Sequence, residues 1–289
     1  MNWNKILSVF IVIFLVINLG LYGVRSIRDQ RSYTLSNNRT RQLENMMKQK
    51  GVTMYDYLPE FYPKAILELK SAEWKKEEIL AKIFGGQDYR SEITYQAALA
   101  DSYQNDRQQL AFYTGDHSGT LYYKGKNERY VPDSSALSAL EAKALLFVRD
   151  LVGDGKQFQV TNRQVKGSEY LLDINGVFRG QIIFSSQFQV QIGEKGISEA
   201  IGHFYEPLEF DGAAQEIYAF DEVMYYFMNK MEEKGKKNII IKDADIGYWI
   251  LDSDTRQLTI EATPVYRLIL EDGSIYYIDA YQNEFLNAE

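Results

Sequence analysis

Residues Ile6 to Val24 read ILSVFIVIFLVINLGLYGV, an apolar run without a single charge, and no other stretch restricts the folding of this chain so strongly. At 1.5 Å per residue a helix over this run reaches about 28 Å, close to a bilayer hydrocarbon core of about 30 Å. Trp3 and Tyr22 stand near its ends, where amphipathic rings favour the headgroup level. A buried helix of a soluble protein fits less well, because the run is hydrophobic on every side. A cleaved secretory signal shares the basic start at Lys5 and the apolar core, but its cleavage site wants small residues at alternate positions. Here Leu19, Leu21 and Tyr22 flank Gly20 and Gly23. The run is therefore predicted to be a permanent transmembrane helix over 6–24, after a stub of 1–5 and before a stalk of 25–51.

Charge counting does not orient that helix. Arg25, Arg28 and Arg31 follow it, against Lys5 and the amino terminus before it, which leans toward a cytoplasmic carboxyl end; yet long domains translocate largely regardless of such charges. Both orientations stay open on charge alone. The whole chain has 32 Lys and Arg against 40 Asp and Glu, a formal net charge of −8, and the basic residues beside the apolar run leave the remainder more acidic still. This balance opposes nucleic-acid or anionic-lipid binding by the following domain, since either needs a basic footprint. Cysteine is absent, which excludes a disulfide framework, a zinc-thiolate centre and a thiol nucleophile. Its absence fits either side of a membrane.

Beyond the run, Leu43, Met46 and Met47 share a helical face within Arg39 to Lys50, and Gly51 stops it. Pro59 and Pro63 make Val52 to Lys70 a connector or edge strand. A helix is predicted from a Ser71 cap through Ile83, ending at Gly85-Gly86, and a stronger one from Pro132 to Gly153, with Leu137, Leu140, Ala144, Phe147, Val148 and Leu151 in helical period. A hairpin joins Gln109–Thr114 to Thr120–Lys124. A meander follows over Lys156–Gly193, with Asn175-Gly176 as its tightest predicted turn. Ile197–Leu208 adds another strand. Ala214–Glu233 is the last predicted helix, its methionines read as core filler. Asn238–Leu251, Leu258–Leu270 and Ser274–Tyr281 form a closing antiparallel run. Helix followed by strands thus occurs at least twice, which predicts an α+β fold of antiparallel sheets with packed helices.

No catalytic motif emerges. His117 and His203 lie in no metal-ligand spacing, no serine sits in a nucleophile elbow, and Gly193-Glu194-Lys195-Gly196 lacks phosphate-loop spacing and reads as a turn. The close acid pairs are Asp243/Asp245 and Asp252/Asp254. The second lacks the central glycine and terminal glutamate of a calcium loop and fits a hairpin turn. No cofactor or metal is expected. Two carboxylates across a cleft would suffice for polysaccharide hydrolysis, so an anchored wall-directed enzyme stays open, as does a ligand sensor.

The short start with Trp3 and Lys5, the single span with Phe14, Leu15 and Asn18, the stalk, and the closing VYRLILEDGSIYYIDAYQNE together resemble the YycI family over essentially the full length. The resemblance implies a non-enzymatic regulator that sits in the cytoplasmic membrane with its carboxyl-terminal domain outside. It further implies association with a YycH-like protein and modulation of the WalK/YycG sensor histidine kinase, which controls cell-wall metabolism, and the similarity to YycH implies two lobes, over 52–130 and 131–289. Within lipid, helices associate through close packing and polar contacts. Phe14, Asn18, Gly20 and Gly23 are accordingly the expected partner-binding residues, Asn18 through its amide and the two glycines through close approach.

Overall fold

A computed structural model describes residues 11–20, 33–55, 58–95, 99–114, 119–251 and 259–286. Strands dominate it. Fourteen strands are hydrogen-bonded along the order β11-β2-β13-β12-β9-β10-β6-β5-β4-β3, with β1 on β12, β14 on β13, and β7 joined through β8 to β9. Here β1 is Val52–Met54, β2 Lys64–Ser71, β3 Arg90–Tyr95, β4 Leu99–Gln104, β5 Gln108–Tyr113, β6 Thr120–Gly125 and β7 Gln157–Lys166. The others are β8 Glu169–Phe178, β9 Gln181–Gly193, β10 Gly196–His203, β11 Tyr205–Gln215, β12 Ile239–Ile250, β13 Ile260–Leu270 and β14 Ile275–Asp279. Helices are few: α1 (described over 11–20), α2 (Asn37–Gln49), α3 (Lys76–Phe84), α4 (Leu137–Val152) and α5 (Phe220–Glu233).

This corrects the expected fold class. In place of a transmembrane helix ahead of an α+β domain of purely antiparallel sheets, the chain builds one extensive mixed sheet, in which β1 and β9 both pair parallel to β12. Among the described residues no helix is long and apolar enough to cross a membrane. Residues 6–10 and 21–24 of the apolar run lie outside the described residues. A single-pass location resting on that span is therefore not supported; strand-based crossing is a separate matter on which helix length is silent.

The chain divides into two compact units, one of residues 1–64, 214–245 and 266–289, the other of 65–213 and 246–265. In the first, α2 packs on α5. Ser36 caps α2 by accepting from Arg39 N, and the Arg39 guanidinium grips Asp221 with Nε–Oδ2 at 2.6 Å and a second contact of 2.5 Å to Oδ1. Asp221 lies in the first turn of α5, where negative charge offsets the helix dipole. Val223, Met224, Phe227, Met228 and Met231 are buried, so the methionines are core. Arg267 of β13 is buried beside Asp245 of β12.

In the second unit α4 lays Leu140, Ala144, Phe147, Val148 and Leu151 onto the antiparallel strands, joined by Ile79, Leu80, Ile83 and Phe84 of α3. Each fully buried Leu or Phe of this set contributes about 1.5–3 kcal/mol of apolar transfer free energy. Two predicted starts move. Ser71 ends β2 and Lys75 takes the N-cap position of α3 without a side-chain hydrogen bond, while β11 runs to Gln215 before α5 begins at Phe220. Asn175-Gly176 is not a turn. Asn175 is buried within β8, its amide donating to the carbonyls of Ile183 and Phe184 at 3.3 and 3.1 Å, and the β8–β9 turn falls at Arg179-Gly180, both at positive φ.

Candidate functional site

An open cleft of about 850 Å³ in the second unit is lined by residues from four stretches of the chain. Its construction begins at the carboxyl end of α3. The Ile83 carbonyl there has no partner within the helix, and two side-chain amides reach it: Gln108 Nε2 at 2.8 Å and Asn127 Nδ2 at 2.7 Å. Gln108 Oε1 in turn accepts from Asn127 Nδ2 at 3.2 Å and from the buried Tyr123 hydroxyl at 3.3 Å. These bonds fix the helix end against the base of the β5–β6 hairpin.

The hairpin base is tight. A Cβ on Gly125 would lie 2.5 Å from the Arg107 carbonyl, so only glycine lets β6 close on β5 there, with Lys126 N donating to Arg107 O at 3.3 Å. Before β5, Asn105 Oδ1 accepts from the amides of Arg107 and Gln108, both at 3.0 Å, which shapes the β4–β5 turn. Arg107 and Lys126 are thereby carried to the cleft on two rigid turns. The β9–β10 turn brings Lys195, α3 brings Lys82, and the 3-10 turn Glu128–Tyr130 brings Arg129.

Five cations thus meet around one cleft whose lining holds a single acid, Asp106. The inversion stands out in a chain of net charge −8. Charges so placed reinforce one another within a Debye length of about 10 Å. Behind the rim, Asp150 of α4 faces Arg129 at 3.0 Å and Lys82 at 3.7 Å and accepts from the Tyr130 hydroxyl at 3.0 Å. Burial and the Asp150 carboxylate push the Tyr130 hydroxyl far above its ordinary value, so it stays a proton donor at any physiological pH. Of the apolar residues in the lining, Val131 is 38% exposed, while Ile83 and Phe84 are buried in the core behind it.

A second hollow of about 440 Å³ beside Trp74 is richer in acid, with Glu73, Glu78, Asp150, Asp154 and Glu206. Its carboxylates are partly engaged: Glu206 is bound by Lys156 and, at 3.0 Å, by Lys70. Hydrogen bonds from those lysines hold the Glu206 carboxyl below its ordinary value, which is the opposite of what a general acid needs. Among the described residues no group of three His, Asp or Glu is arranged to hold a metal ion.

The residues expected to bind partners lie elsewhere. Phe14 is 69% exposed on α1, and Asn18 Nδ2 donates to the Phe14 carbonyl at 2.9 Å, so that amide is engaged inside its own helix. A Cβ on Gly20 would meet nothing within 4 Å. Gly23 lies outside the described residues, as do His117 and the pair Asp252/Asp254. His203 Nδ1 pairs with Thr120 Oγ1 at 3.0 Å and its ring lies on Tyr205, a structural placement. Asp245 holds Arg267. The turn Gly193-Glu194-Lys195-Gly196 is a turn, and it delivers Lys195. Sequence reading missed the cleft because its cations are scattered from Lys82 to Lys195 with no run to mark them; the signal available was that Lys82, Arg107, Lys126 and Lys195 stand at or beside element ends.

No family profile and no curated protein matches the chain. Among solved structures, an uncharacterized protein from Eubacterium rectale superposes with a TM-score of 0.48 at 13% identity, covering 82% of this chain and 89% of that one. The YpeB C-terminal domain of Bacillus megaterium gives a TM-score of 0.41 at 8% identity, with 76% and 98% covered.

Proposed function

We propose that this chain is a non-enzymatic regulatory protein of the YycI kind, which works by binding other proteins: a YycH-like partner and a WalK/YycG-type sensor histidine kinase. The observation that carries the reading is the cleft in which five cations gather on an otherwise acidic chain. Such a local field speeds and orients association with an oppositely charged surface. Regulation follows if the bound chain prefers one signalling state of the kinase, since only a difference in affinity shifts an equilibrium. The lysine-held Glu206 beside Trp74 is unsuited to be the protonated carboxyl that a wall hydrolase needs. Kinase autophosphorylation measured with and without the chain, in the presence of the YycH-like protein, tests the reading. A dose-dependent change in rate supports it; an unchanged rate together with no co-purification refutes it.

A further inference from the structure

The lining of the basic cleft mixes two kinds of surface that ask for different chemistry. Lys126 and Lys195 carry exposed side chains, and Val131, 38% exposed, is the apolar side chain the lining offers to solvent, Ile83 and Phe84 being buried. Inorganic phosphate or a polyphosphate would satisfy the lysines and leave Val131 wet. A peptide that carries carboxylates beside an aliphatic side chain satisfies both, because the ammonium groups pair with carboxylates and Val131 gains by losing water.

We propose that this cleft docks an acidic peptide segment of a partner protein, its carboxylates on Lys126 and Lys195 and at least one apolar side chain over Val131. The volume of about 850 Å³ lies within the range of ligand-binding clefts. Arg129 and Lys82, held from behind by Asp150, set the background potential and are not the first contacts. The segment's owner rests on the regulatory reading above; the chemistry of the cleft does not.

Fluorescence anisotropy with the full chain and a labelled peptide alternating Glu and Leu tests the idea, against a matched Gln–Leu peptide and tripolyphosphate as competitor. The expected result is binding of the Glu–Leu peptide that weakens about tenfold in Lys126→Glu/Lys195→Glu and in the Gln–Leu peptide, and falls also in Val131→Asn. Both altered lysines are exposed, and an unchanged melting temperature confirms that the variant is folded. Equal binding of the Gln–Leu peptide, or no effect of Lys126→Glu/Lys195→Glu, overturns the proposal. Full competition by tripolyphosphate with no effect of Val131→Asn reassigns the site to phosphate and overturns it too. If the peptide binds but neither partner protein does, the regulatory reading falls and the cleft stands; if the partners bind the reversed-charge variant as tightly as the native chain, the cleft falls and the reading stands.

Discussion

Arg129 and Asp150 contact one another at 3.0 Å directly behind the basic cleft, and the same carboxylate accepts the Tyr130 hydroxyl at 3.0 Å. One buried acid thus holds a rim cation and the end of the 3-10 turn together. Asp150→Asn keeps the shape and removes the charge. The expected outcome is a loss of about 1–3 kcal/mol in urea unfolding, together with tighter binding of acidic peptide, because Arg129 and Lys82 lose their internal counter-ion. Weaker peptide binding at unchanged stability would contradict this role.

Arg267 is 1% exposed, and its guanidinium meets Asp245 in a forked pair, Nε to Oδ1 at 2.9 Å and a terminal nitrogen to Oδ2 at 2.5 Å. Desolvation disfavours that charge, and Asp245 outweighs the penalty, so the guanidinium pKa is raised. Asp245→Ala should cost about 3 kcal/mol, since it strips a buried cation of its carboxylate. Asp245→Asn with Arg267→Met should cost less than Asp245→Ala alone, because the pair is replaced and not broken. Equilibrium unfolding of both variants checks the order.

Gly202 of β10 stands opposite Phe188 of β9, and a Cβ there would lie 1.9 Å from the Phe188 ring. Phe188 is fully buried beside Trp74 and Phe158, so the ring has no room to retreat. Gly202→Ala is expected to destabilise by about 2–3 kcal/mol through forced displacement of that aromatic cluster. Gly85→Ala offers a contrast, since a Cβ at Gly85 meets nothing within 4 Å and only its left-handed φ of 59° opposes the change. A thermal melt should rank Gly202→Ala as the more damaging.

Glu206 has its carboxyl lowered from an ordinary 4.5 by hydrogen bonds from Lys156 and Lys70. A group depressed in the folded state adds stability that is full above 4.5 and disappears as pH falls through the lower folded value. Both lysines are partly exposed, so the contribution is at most about 1 kcal/mol. Native protein should therefore lose stability faster than Glu206→Gln as pH falls from 4.5 through the lower folded value, and at neutral pH the variant should be slightly the weaker. Parallel acid titrations of the two curves would reveal the divergence, or its absence.

Much of this fold was legible residue by residue. The period of Leu140, Ala144, Phe147 and Leu151 announced α4, and the polar stretch between Thr114 and Thr120 separated β5 from β6. Local signals failed where sheet pairing overruled them. Ser71 has the chemistry of a helix cap but ends β2, and Asn175-Gly176 has the chemistry of a hairpin turn yet is drawn into β8 by carbonyls of the neighbouring strand. The apolar run misled in another way, since its length suggested a span that the described helix does not supply. The cleft was invisible for a physical reason: net charge is an average over the chain, whereas Lys82, Arg107, Lys126, Arg129 and Lys195 become neighbours only after α3, two hairpins and a 3-10 turn converge.

Calorimetric titration of the native chain and of Lys126→Glu/Lys195→Glu with the YycH-like protein, at low and at high salt, bears most directly on the central claim of recognition through the cleft. The account requires native binding that weakens with salt, and a variant that binds at least about tenfold more weakly with a flatter salt dependence. Identical affinity and salt dependence in the two proteins would contradict it.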